Sequence, residues 1–215
     1  MKIKYISLIL SITGIIILYI LSTFSQPIYI NIENISDYEG KEITTCGTTI
    51  DYYTTSYGNQ IITIKSNNST AQLFCEEPTT IQYGDILRVT GKVEYYNNQW
   101  EIIIDQSSSI TILQQWENIT TPLWEIATKP EQYTDLHLNT TGYIDTIYDT
   151  YFILTDKTSN HSIIVTYQPW INISIYAGQQ CTLHAYFTYD PSQTRYLFEL
   201  KNNNHMIKPT GADNP

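Results

Sequence analysis

From Tyr83 to Ile102 the chain reads Y-G-D-I-L-R-V-T-G-K-V-E-Y-Y-N-N-Q-W-E-I. Ile86, Arg88 and Thr90 alternate with Leu87, Val89 and Gly91, the two-residue period of a strand. Gly84-Asp85 ahead of it is a turn signal, and Gly91 inside it predicts a bulge or a sharp bend. Val93, Tyr95 and Tyr96 carry the strand on, Asn97-Asn98 turns it, and Trp100, Ile102 and Ile104 open the next. Similar alternation upstream predicts strands over residues 43–53, bent at Gly47, then 60–66 and 71–75. Residues 76–82 contain Pro78-Thr79-Thr80 and read as a loop. Downstream, strands are expected over 136–148, 151–155, 161–167, 179–189 and 196–201, with turns at 156–160 and 189–192.

The two groups of strands share their spacings. Tyr38 precedes Gly47 by nine residues, as Tyr133 precedes Gly142. Gly47 lies 37 residues before Gly84, and Gly142 lies 36 before Gly178; Gly84 to Trp100 is 16 residues, Gly178 to Tyr196 is 18. Three agreeing intervals imply one structural unit present twice. The run "Gly-Asp, strand, Gly, strand, polar turn, aromatic-Glu-aliphatic" resembles the fourth and fifth strands of an OB-fold barrel. Within that fold it is similar to the tRNA/helicase-type nucleic-acid-binding OB family. The resemblance implies an all-β chain with two five-stranded OB-fold barrels in tandem, at residues 26–106 and 133–204. It also implies a ligand lying across strands two and three, between the loops joining strands one–two and four–five. Residues 107–132 form the linker. Its Pro122 to Thr128 segment predicts one short helix, capped by Thr121, that buries Leu123, Trp124 and Ile126. Residues 205–215 read as a tail without regular structure.

Ahead of the barrels, residues 5–24 form an uncharged run preceded by Lys2 and Lys4. Such a run is long enough for a helix to cross ~30 Å of hydrocarbon. With the lysines held in the cytoplasm, residues 1–25 are expected to be a transmembrane signal anchor, placing the chain after Ser25 outside the cell. A cleaved signal peptide is the alternative. Export agrees with the low charged fraction of 15%, the 19 tyrosines, and sequons at Asn34, Asn67, Asn68, Asn118, Asn139, Asn160 and Asn172. The composition, rich in Ile and Asn, is similar to that of proteins from AT-rich archaea.

Charge and chemistry narrow the function. The chain carries 21 acidic and 11 basic residues. Residues 26–118 hold four basic against twelve acidic side chains, and residues 119–215 five against nine. Phosphate tracking draws on clustered Lys and Arg, whereas Lys41, Lys65, Arg88 and Lys92 are scattered among acids. The reading is therefore a binding module for an envelope protein or glycan, with single-stranded nucleic acid, as the resemblance implies, the alternative. The ligand-facing aromatics are Tyr52, Tyr53 and Tyr57 on one side and Tyr95, Tyr96 and Trp100 on the other, with Tyr148, Tyr151, Tyr186 and Tyr189 in similar places of the second unit. No nucleophile–base motif or paired-carboxylate constellation points to an enzyme. Cys46 and Cys75 are one disulfide candidate. Cys181 and His184 point to opposite faces of one strand, and the histidines read as isolated, so no metal or cofactor is expected. Residues 152–167 resemble a strand pair of the haem chaperones of cytochrome c maturation. His205, however, is followed by Met206-Ile207-Lys208-Pro209 and lacks the tyrosine of that family's haem motif.

Overall fold

The computed structural model describes residues 2–24, 26–168, 174–202 and 204–210, without the side chains of residues 2–4, 6, 9, 23 and 24. A helix, α1 (Lys2–Phe24), leads into two strand systems. The first contains β1 (Ile28–Tyr29), β2 (Glu42–Thr54), β3 (Gln60–Ser66), β4 (Ser69–Cys75), β5 (Ile86–Tyr96), β6 (Gln99–Ile104) and β7 (Ile110–Gln114). Antiparallel pairs β2–β3, β3–β4 and β5–β6, a parallel pair β4–β6, and closure of β5 onto β2 make a five-stranded ring. The second contains β8 (Leu136–Ile147), β9 (Tyr151–Asp156), β10 (His161–Tyr167), β11 (Gln180–Asp190), β12 (Arg195–Leu200) and β13 (Met206–Pro209). It closes in the same way, with β10 and β12 parallel and β11 pairing both β12 and β8. Each ring runs first–second–third–fifth–fourth–first, the order of an OB-type barrel.

Alternation explains both cores. Ile43, Ile62, Ile64, Leu73, Leu87, Val89, Val93, Ile102 and Ile104 fill the first barrel. Ile144, Phe152, Leu154, Val165, Leu183, Phe187 and Phe198 belong to the second core. β2 and β8 each slip register beyond their glycine, between Thr49 and Asp51 and between Ile144 and Ile147. Gly91 does not sit at a register shift. Instead β6 crosses it so closely that a Cβ there would lie 2.4 Å from the Ile103 carbonyl oxygen and 2.7 Å from Ile102 Cγ2. The glycine serves close approach of two strands.

Several expectations are corrected. The linker helix is α2 (Leu123–Thr128), with Pro122 rather than Thr121 at its N-cap and no side-chain cap bond. It buries Leu123 and Ile126 in the second core, while Trp124 stays 46% exposed. A second short helix, α3 (Pro130–Tyr133), follows it. The tail supplies β13, which pairs with β11 from Cys181↔Pro209 to His184↔Met206; residues 211–215 lie outside the described residues. Cys46, Cys75 and Cys181 are free: Cys75 is buried in the core and Cys46 lies on the other face of the barrel wall, so the two thiols cannot meet.

The localisation changes as well. Among the described residues no helix is long and apolar enough to cross a membrane. Single-pass anchoring through residues 5–24, with the rest extracytoplasmic, is thereby overturned. Of the sequons, Asn139 is buried within β8, and Asn172 lies outside the described residues.

Candidate functional site

The outer face of the first barrel is the surface turned away from its core. On β2, β3, β4 and β6, residues facing outward line up across the strands. Tyr53 pairs with Ile61, Ile61 with Phe74, and Phe74 with Ile103. This apolar row crosses four strands, about 14 Å at ~4.8 Å per strand. Two residues along, a second row runs Asp51–Thr63–Gln72–Glu101 and continues to Glu94 on β5. Glu101 and Glu94 face each other directly, a cross-strand pairing of like charges that costs stability. Burial, and then the Glu94 charge, push the Glu101 carboxyl above its ordinary range. Lys92 Nζ relieves Glu94 from the side, donating to Oε1 at 2.9 Å.

The sequence-predicted aromatics divide by strand parity. Tyr53 and Tyr96 are on the outer side and half or more exposed, and Tyr57 stands 91% exposed at the tip of the β2–β3 loop. Tyr95 and Trp100, a cross-strand pair with ring centroids 4.7 Å apart, share the inward parity at the barrel rim. Tyr52 turns inward, packing against the core and against Tyr83, 4.7 Å away. In the second unit Tyr148 and Tyr151 stack at 4.4 Å, and Tyr189 meets Tyr196 at 4.9 Å. Tyr186 belongs to the junction between the barrels.

The strand order and these faces place the chain among OB-type architectures. No family model and no curated protein matches the sequence. Solved structures similar to it are the telomere capping protein Ten1 from Saccharomyces pombe, a replication protein A domain and a murine DNA-binding protein. Ten1 is 15% identical, covers 44% of this chain and 85% of its own, with TM-score 0.31. The second OB-fold domain of replication protein A from Methanococcus maripaludis is 17% identical, covering 40% and 97%, with TM-score 0.30. The murine DNA-binding protein, solved bound to double-stranded DNA, is 12% identical, covering 81% and 97%, with TM-score 0.37.

The junction holds what the sequence did not reveal. Outward residues of β8 and β11, His137, Asn139, His184 and Tyr186, face the first barrel, and His205 enters beside them from the turn before β13. Trp116 stacks on His184 at 3.8 Å and Tyr83 on His137 at 4.2 Å. Asp85, only 2% exposed, accepts the Trp116 backbone N–H at 2.9 Å and the Gln82 N–H at 2.8 Å, fixing the linker to the turn before β5. Gly84, at φ +89°, lies so close that a Cβ would come within 3.0 Å of the His137 carbonyl oxygen.

Hydrogen bonds set the tautomers here. The Lys201 backbone N–H donates to His205 Nδ1 at 3.0 Å, so His205 carries its proton on Nε2. That Nε2–H donates to His137 Nδ1 at 2.8 Å, and His137 in turn donates to the Ile50 carbonyl in the other barrel. Chemically this is a one-way chain of neutral rings. Burial pushes His137 and His205 down to about 3 and His184 to about 4; for the first two the neighbouring imidazoles add to it. With its Nε2 protonated and its Nδ1 occupied, His205 has no lone pair for a metal or for haem iron. Among the described residues no group of three His, Cys, Asp or Glu side chains is arranged to hold a metal ion. A cleft of about 330 Å³ beside the chain is lined by Asp51, Tyr83, Asp135, His137, Tyr186 and Lys201, among others. Asp135 accepts from Tyr186 Oη at 2.9 Å and from Thr188 Oγ1 at 3.2 Å.

Proposed function

We propose that this chain is a non-catalytic tandem OB-type binding module whose first barrel holds an extended ligand across its outer face. The observation that carries the reading is the outward row Tyr53–Ile61–Phe74–Ile103, which crosses the strands at the place where OB barrels take chain-like ligands. Tyr57 extends the row at one loop and Tyr96 stands at the other. An outward row of two aromatic and two aliphatic side chains serves no core. It offers flat and branched surfaces to a ligand that runs perpendicular to the strands. The protein should lose ligand binding in the double variant Tyr53→Ala/Phe74→Ala while keeping its circular dichroism and melting temperature. Retained binding in that folded variant would place the site elsewhere.

Single-stranded nucleic acid is the second reading, favoured by the exposed tyrosines at both ends, since aromatic platforms stack bases as readily as sugars. Asp51, Glu94 and Glu101 beside the row work against phosphates. Binding of a twelve-residue oligo-dT should therefore stay weak at physiological salt, measured by fluorescence anisotropy. Submicromolar binding that weakens steeply with salt would establish the nucleic-acid reading.

A further inference from the structure

Resting on that reading of the face, its charge pattern singles out one ligand class. Beside the apolar row stands a parallel row holding Asp51, Glu101 and Glu94, three carboxylates on three strands, with Thr63 and Gln72 between them. The rows are about 7 Å apart, two residues of strand rise. Glu94 and Glu101 oppose one another directly, and the Lys92 ammonium group hydrogen-bonds Glu94. Glu101 is left against a like charge while only 9% exposed. A cation arriving from a ligand would remove that repulsion. A phosphate chain would add to it, and a neutral sugar would leave it in place. The surroundings agree, since residues 26–118 carry twelve acidic and four basic side chains.

We propose that the outer face of the first barrel docks an extended, basic segment of a partner protein, its apolar side chains on Tyr53, Ile61, Phe74 and Ile103 and its Lys or Arg groups on Glu94, Glu101 and Asp51. The acidic row ends at the inter-barrel cleft, which Asp51 and Asp135 both line beside Lys201.

The test titrates the full-length chain against four fluorescein-labelled probes: a Lys-Ile-Lys-Tyr repeat of eight residues, its Glu-for-Lys counterpart, oligo-dT of twelve residues, and cellohexaose. The basic peptide should bind, weaken with added salt, and lose about tenfold in affinity in Glu94→Gln/Glu101→Gln, a variant whose fold is relieved of a like-charge pair. Phe74→Ala should weaken it independently. Equal binding of the acidic peptide would overturn the proposal. So would basic-peptide binding indifferent to both variants, which would be general attraction to an acidic chain. Binding of oligo-dT or cellohexaose instead, lost in Phe74→Ala, would overturn the peptide class yet keep the face as the site. Failure of all four probes would overturn both.

Discussion

Two glycines separate two reasons for lacking a side chain. Gly91 has an ordinary backbone but no room, with the Ile103 carbonyl 2.4 Å from where a Cβ would be. Gly178 has room, but its φ of +87° is costly for an L-residue. Gly91→Ala should therefore cost on the order of 3 kcal/mol, because two strands must separate. Gly178→Ala should cost about 1 kcal/mol. Urea unfolding of both variants checks the ranking, and equal losses would show that β6 can move off β5. From sequence, Gly84 and Gly178 were legible as turns because Gly-Asp and Gly-Gln precede strong strands. The reason for Gly91 was not, because close approach of β6 depends on barrel closure and leaves no local pattern.

At the level of elements, all ten barrel strands were legible, since alternation over five or more residues survives any tertiary context. What escaped were the short pieces held by partners distant in sequence. β13 exists because β11 offers a free edge to Met206–Pro209, and nothing in H-M-I-K-P announces that edge. Trp124 was expected inside; Leu123, Ile126 and Ala127 pack on the second core, and its ring is left outside. At Trp116 the linker is fixed by the Asp85 side chain. Asp85→Ala would leave the buried Trp116 N–H without a partner, costing about 2 kcal/mol. It should also shift the Trp116 fluorescence to longer wavelength by loosening its stack on His184. An unchanged spectrum would show that the stack holds the linker unaided.

For the molecule as a whole, the histidine junction gives stability a pH dependence. His137, His184 and His205 stay neutral when folded, down to about 3 to 4, whereas unfolded they take up protons near 6.5. Between those limits the unfolded state binds more protons. The stabilisation is complete above 6.5 and is lost as pH falls toward 4, at roughly 1.4 kcal/mol per pH unit for each histidine. Urea midpoints between pH 7 and 4.5 should fall accordingly, and His137→Gln should flatten the slope by about a third. A slope unchanged in that variant would locate the acid sensitivity in carboxylates. Among the described residues the buried histidines all lie at the junction, so thermal unfolding should go from one transition at pH 7 to two at pH 5 as the junction opens first. Read along the chain, these histidines looked isolated. Their sequence separations of 47 and 21 residues carry no signal, and only packing of β8 and β11 against Gly84 and Trp116 collects them.

The contact between the repeated units is directional. The turn before the fourth strand of the first barrel, at Gly84, receives the histidine face of the second, and the second barrel has its own such turn at Gly178. Among the described residues nothing comes within 4 Å of a Cβ built there. Head-to-tail joining of like units has no built-in end, and it closes only if a rotation returns it to its start. The two turns differ in composition: Gly178 follows Tyr176 and Ala177, where Gly84 has Gln82 and Tyr83, and no histidine lies in the first barrel to face another copy. Tandem duplication followed by divergence of the two docking faces would have turned a self-propagating filament contact into a private one.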